Sequence, residues 1–400
     1  MKRIISIILV ALMVIGLFGC NTTPSESENS KDPSEYTVTE NDMEHLEGAI
    51  AWVGGMAISS TSDKLQWRGF CEQLATWGNY NVVDMGPAEF TQAAQIDKIE
   101  ECIAQKVAAI IISPVTDSGV EEVLQKAINA GIKVISFNGR ATANVRTTHV
   151  NQCDPNAFAK QSLATSVLET LGEKFDYNQS TLVATAIKAA EAKGEKLKIG
   201  IISTLPDAAI QSSWLRCIEA AAAEYKYGIE FDIKYTNNDV AQGAVLLDSF
   251  EMQGDIKSII CLATNTITTI AEEIVQLNSD IKLTGCMWAS SAVDYTATST
   301  SDNAYDYAIP WGFGWDFEWW GEVLAATVVA TLNGNYTGAV GQTVTVNPTA
   351  TYPDGATLVT AETTKSTEVG GTELFAQQPL MYYAGNIAQW VDQENSVVNK

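Results

Sequence analysis

Histidine is almost missing from this 400-residue chain, and the two present, His45 and His149, stand in no recognisable nucleophile, metal or phosphate motif. Catalysis built on an imidazole therefore has little to start from. Paired metal-ligating cysteines are missing as well. Seven cysteines occur, at 20, 71, 102, 153, 217, 261 and 286, with no CxxC pair and no histidine close by. Neither a metal nor a cofactor is expected. Gly54-Gly55 follows an apolar run, but no GxGxxG or Walker pattern accompanies it. Positive charge is scarce, with 24 Lys and Arg against 48 Asp and Glu, for a formal net charge of −24. Nucleic acid and anionic lipid would be repelled at long range and are poor partners. The apolar run at the N-terminus, Ile4 to Phe18, has fifteen residues. That is short of the roughly 18 a spanning helix needs.

What is there begins with an export pattern. Lys2 and Arg3 precede the apolar run, which ends in Leu17-Phe18-Gly19-Cys20. These residues resemble the bacterial lipoprotein signal, which implies acylation of Cys20 as the mature N-terminus and attachment to a membrane through that lipid. Loss of the signal's two cations makes the mature chain −26. From Asn21 to about His45 the chain is rich in Ser, Thr, Asn, Glu, Asp and Pro, too polar to fold, and reads as a tether. Some 25 flexible residues have a root-mean-square span of roughly 25–30 Å. Residues 1–20 are thus assigned to the signal and 21–45 to the tether.

The remaining 355 residues exceed what one hydrophobic core usually accommodates, so two lobes are expected. Strand and helix patterns alternate. Strands are predicted at Ala49–Val53, Asn81–Met85, Val107–Ser113 and Ile132–Phe137, with helices near Leu65–Thr76, Gln92–Gln105 and Gly119–Ala130. The pattern then restarts, with strands at Leu197–Ser203, Ile229–Tyr235, Ile256–Leu262 and Ile281–Cys286. Helices fall near Ser213–Tyr225, Val240–Gln253 and Thr266–Asn278. β-Branched runs between amphipathic helices indicate parallel strands covered on both faces, and hence an α/β fold of two doubly wound, Rossmann-like sheets. Cys71, Cys102 and Cys261 lie among apolar neighbours and suit small core residues, although an exported chain also permits disulfides.

Several segments carry a resemblance: Gln95-Ile96-Asp97 through Ile110-Ile111-Ile112-Ser113-Pro114, then Ala130-Gly131-Ile132-Lys133-Val134-Ile135-Ser136-Phe137-Asn138, and Pro379-Leu380-Met381 through Asn386-Ile387. From about Gly48 to Trp390 the chain resembles the type I periplasmic binding proteins, in the cluster serving ribose, galactose, rhamnose and furanosyl autoinducers. The resemblance implies three chain crossings between the lobes and a ligand cleft that closes. With it the lobes are expected to comprise 46–150 plus about 314–345, and 151–313 plus about 346–400.

Loops after the carboxyl ends of parallel strands are where such sheets place ligands. Asp63 stands in the first of these, Ser59-Ser60-Thr61-Ser62-Asp63. The family's Asn and aromatic pair are missing there. The resemblance further implies ligand contacts at Asn138 and Arg140 after the fourth strand, at Arg216 on the second lobe's first helix, and at Asn265. Asn138 also suits a turn, Arg140 a surface ion pair and Arg216 a solvated helix position. Met287-Trp288 stands where many sugar binders have an Asp, which implies a less hydroxyl-rich ligand or a contact moved elsewhere.

The densest local signal is Trp311-Gly312-Phe313-Gly314-Trp315-Asp316-Phe317-Glu318-Trp319-Trp320. A helix is predicted from Asp316, as its cap, to Leu332-Asn333-Gly334. Trp319 and Trp320 then pack the helix, while Trp315 with Asp316 meets the cleft and Trp311 suits either place. The readings are a monomeric, envelope-anchored receptor delivering a sugar-like ligand to the permease of an ABC transporter, a signalling receptor for a sugar or furanosyl autoinducer, and, distantly, a glycoside hydrolase.

Overall fold

In the computed structural model, residues 47–78, 80–116, 118–175, 177–206, 209–362 and 371–398 are described. Signal, tether and Cys20 lie outside them. The chain first lays down β1 (Ile50–Val53), α1 (Thr61–Ala75), β2 (Val82–Asp84), α2 (Gln92–Ala104), β3 (Ala109–Ile112), α3 (Glu121–Asn129), β4 (Lys133–Phe137) and β5 (Thr148–Asn151). It crosses into α4 (Pro155–Leu171), α5 (Gln179–Lys193), β6 (Leu197–Ser203), α6 (Ala209–Ala222), β7 (Ile229–Tyr235), α7 (Gln242–Glu251), β8 (Ser258–Cys261), α8 (Ile267–Leu277), β9 (Lys282–Gly285), α9 (Ala289–Ala292) and β10 (Gly312–Gly314). It returns through α10 (Phe317–Leu332), β11 (Thr343–Val346), β12 (Ala356–Val359), β13 (Ala361–Glu362) and β14 (Thr372–Phe375). It ends with β15 (Leu380–Tyr382) and α11 (Ile387–Asn395).

The two parallel sheets expected from the alternation are present. The first has seven strands in the order β13-β14-β5-β4-β3-β1-β2, and the second has four, β7-β6-β8-β9. All pairings are parallel except β13 with β14. A parallel bridge from Cys286 to Phe313 adds β10 beside β9, and β15 pairs antiparallel with β10. β1 and β3 are buried at every position, as strands covered on both faces must be. All six cysteines from 71 onward are buried free thiols. Burial pushes the thiols of Cys71, Cys102, Cys153, Cys261 and Cys286 up, to about 12 for Cys102 and Cys286, which makes these five poor nucleophiles.

One expectation is corrected. Residues from about 346 were assigned to the second lobe, but β14 lies parallel to β5 in the first sheet, with Glu373 opposite His149 and Phe375 opposite Asn151. The reason is electrostatic as well as steric: Glu373, fully buried, takes Arg140 Nε at 2.8 Å and Asn151 Nδ2 at 3.2 Å. The β11–β12 hairpin also belongs to the first lobe, where Val344 and Val346 are buried in the core formed with α1 and α10. The third crossing therefore runs from Phe375 to Leu380.

Helices α1 and α10 approach at backbone distance. A Cβ on Gly69 would lie 1.9 Å from the Glu318 carbonyl oxygen, and one on Gly321 would lie 2.0 Å from that of Gln66. Only glycine at both positions admits this contact. Beside it Arg68 holds Glu318 through Nε at 2.5 Å and Nη2 at 2.6 Å.

Candidate ligand cleft

Crossings fix where the two sheets face each other. The first leaves the carboxyl end of β5 in one sheet, and the second leaves the carboxyl end of β10 at the edge of the other. Both sheets therefore present their carboxyl edges to the crossings, and the loops on those edges line the space between. Hydrogen bonds bundle the crossings together. Gln377 accepts from the Asp316 backbone N–H at 2.9 Å and donates to the Asp316 carbonyl at 3.0 Å. Trp319 Nε1 donates to the Ala376 carbonyl at 2.8 Å, and Trp320 Nε1 to that of Val150 at 3.1 Å.

Of the seven residues singled out from the sequence, two end on facing carboxyl edges with exposed side chains. Asn138 follows β4 in the left-handed conformation, φ 53°, and Asn265 lies in the turn after β8. Arg216 is partly exposed on α6, which follows β6. Trp315 follows β10, 8% exposed, with its Nε1–H lacking a hydrogen-bond partner among the described residues. Its ring packs edge-on to Trp214, centroids 5.6 Å apart, and tilts on Phe317 at 6.0 Å.

Three others are held by neighbours. Arg140 is committed to Glu373. Asp63 closes a capping box with Ser60, whose hydroxyl lies 2.6 Å from its carboxylate. Asp316 caps α10, accepting from the backbone N–H groups of Glu318 and Trp319 at 3.1 Å, and takes further bonds from Gln393 at 2.9 Å and from the Tyr352 hydroxyl. Burial, with the carboxylates of Asp316, Glu318 and Glu322 nearby, raises the Tyr352 phenol's ionisation far above its ordinary range.

Some residues on these carboxyl-edge loops and crossings escape sequence reasoning. Phe90 is 63% exposed, and its ring lies on Gly55, where an added Cβ would come within 2.6 Å. Met56, 42% exposed, shares this rim, which is fastened by Asp84 through the backbone N–H groups of Ile58 at 2.8 Å and Gly86 at 2.9 Å. Gln152, at the first crossing, has a buried Oε1 without a partner among the described residues. Trp288 stacks on Phe317 at 4.7 Å and 10°, so an aromatic pair joins the second lobe's loop to the second crossing. The Trp dyad at 214 and 315 and the residue Trp288 are visible in the sequence, but an exposed Phe or an unpaired Gln oxygen becomes visible only in three dimensions. Trp311 turns out to be a core residue, 1% exposed.

A family description of the periplasmic binding protein domain matches residues 55–335, well over half of the chain. The chain belongs to that family. As a member of this family of binding proteins it also shares its fold with solved structures. One is an ABC transporter solute-binding protein from Clostridium phytofermentas with bound L-rhamnose, 22% identical, TM-score 0.66, covering 86% of this chain and 98% of that one. Another is a sugar ABC transporter protein from Actinomyces odontolyticus, 20% identical, TM-score 0.64, covering 86% and 97%. A third is LsrB from Clostridium saccharobutylicum in complex with AI-2, 18% identical, TM-score 0.61, covering 85% and 99%.

Two surface hollows mark this binding protein, the second of them bordered by Leu380 at the end of the third crossing. One of about 590 Å³ is lined by Lys193, Lys198 and Asp255 among others, and its charges are paired, as in Lys198 with Asp255 at 3.1 Å. The other, about 510 Å³, lies beside the stacked rings of Tyr177 and Tyr383, 4.4 Å apart. No helix of the described residues is long and apolar enough to cross a membrane.

Proposed function

We propose that this protein is the lipid-anchored, extracytoplasmic receptor of a carbohydrate ABC transporter, taking a small neutral sugar-like molecule between its lobes and delivering it to the permease. Trp315 carries the ligand class. A buried, unpaired indole N–H beside the rings of Trp214 and Phe317 offers one directed donor in an aromatic wall, which suits the C–H face and hydroxyls of a sugar. The apolar rim of Met56 and Phe90 supports a ligand with a partly apolar face. Rhamnose and AI-2 in the similar structures point the same way.

In this reading Asn138 and Asn265 contact the ligand from opposite lobes, and Arg216 supplies a forked donor for vicinal oxygens. Gln152 adds an acceptor. Asp63, Arg140 and Asp316 hold the loops that present them. The lobes work as a monomer. A ligand bound only by the folded state raises the melting midpoint. A thermal-shift screen with L-rhamnose, D-fucose, D-tagatose, D-arabinose and furanone-type autoinducers is expected to give a rise with at least one of them. A response confined to amino acids or peptides overturns the sugar reading.

A further inference from the structure

Side chains near the end of α11 reach three different parts of the molecule. Glu394, 5% exposed, accepts hydrogen bonds from the backbone N–H groups of Ala289 at 2.9 Å and Ser290 at 2.8 Å. Those groups open α9 directly after Trp288, so the carboxylate fixes the second-lobe loop that carries this ring. Gln393 Nε2 donates to Asp316 Oδ1 at 2.9 Å, at the second crossing. Ser396 Oγ accepts from Arg68 Nη1 at 2.9 Å, on α1 of the first lobe.

The two ends are unequally anchored. Towards the second lobe, Ile387 and Glu394 are buried at 4% and 5% exposure, and Trp390 packs on Tyr382 with centroids 6.2 Å apart. Towards the first lobe and the crossing, the polar bonds come from a half-buried Gln393 and an exposed Ser396. Hydrogen bonds near solvent each contribute modestly and break readily.

We propose that α11 is an interlobe strap. It moves with the second lobe, positions the Trp288 loop through Glu394, and clasps the first lobe and the crossing through Ser396 and Gln393. Rotation of one lobe against the other must break those two outer bonds, so the strap weights the lobe arrangement in which they form. Gln393 and Ser396 thereby set how often the cleft opens, whichever ligand it takes.

The test is a distance measurement on the ligand-free full chain in a Cys20→Ala background, with nitroxide labels at Glu122→Cys on α3 and Gln276→Cys on α8, both exposed positions. The six remaining cysteines are buried and escape labelling. With the strap intact, pulsed electron resonance is expected to give one dominant interlobe distance. The double variant Gln393→Ala with Ser396→Ala is expected to raise a second population on the order of tenfold, while Ser396→Thr, which keeps the hydroxyl, leaves the distribution as it was. An unchanged distribution in the double variant overturns the strap, whether or not the melting temperature falls.

Discussion

Arg140 Nε lies 2.8 Å from Glu373 Oε1, with side-chain exposures of 10% and 0%, although 233 residues separate them in the chain. The pair fastens a late strand to the loop after β4. Replacing Glu373 with Ala leaves a buried guanidinium without its carboxylate, so a loss of about 3–5 kcal/mol is expected. Urea unfolding of the single variants and of Arg140→Met with Glu373→Leu checks this. The double variant should be the more stable, because neither charge is then stranded.

A second prediction concerns pH. Burial raises the carboxyl groups of Glu169 and Glu322 from 4.5 to about 8. Between those values the folded chain keeps protons that the unfolded chain has released, so stability falls as pH rises through this window. Burial and the positive charge of Arg140 and Arg146 hold His149 well below its ordinary 6.5, so its contribution is lost as pH falls below about 6.5. Glu322→Gln and Glu169→Gln should each flatten the alkaline decline in denaturant titrations run from pH 5 to 9. A decline unchanged in both variants would remove these carboxyl groups as its source.

Ligand contacts come next. Asn138→Ala, Arg216→Ala and Asn265→Ala are each expected to weaken binding roughly five- to 150-fold with the fold intact, from loss of a polar contact of about 1–3 kcal/mol. Trp315→Phe, which removes the indole N–H and keeps an aromatic ring, should fall in the same range. Lys188→Ala, at an exposed position of α5, should change nothing. Calorimetric titration with the sugar found in the thermal screen, read beside melting curves, is the measurement. Unchanged affinity in all four cleft variants would move the site elsewhere.

The anchor is tested by fractionation. Cys20→Ala should release the protein from the membrane fraction without changing ligand affinity, since none of the proposed ligand contacts lies in residues 1–45. Retention on membranes after a salt wash would end the acylation reading.

The sequence by itself determined the α/β alternation and many of its elements. Strands β6 and β7 fall on Leu197–Ser203 and Ile229–Tyr235, the one largely apolar and the other alternating apolar with charged, and α10 begins after Asp316 and ends at Leu332 as its cap and stop dictate. These are local signals: a β-branched run or a capping carboxylate acts within one or two turns of chain. The tertiary structure decided what depends on distant partners. Four-residue β14 carries Glu373 in its middle, a charge held inside the sheet because Arg140 pairs with it and Asn151 hydrogen-bonds it from distant parts of the chain. The same holds at the cleft. Arg140, Asp63 and Asp316 have the chemistry of ligand contacts, yet each is held by a neighbour, whereas Trp315 keeps a donor unpaired among the described residues. Which polar group stays unpaired depends on hydrogen-bond partners brought together only when the lobes and their crossings pack.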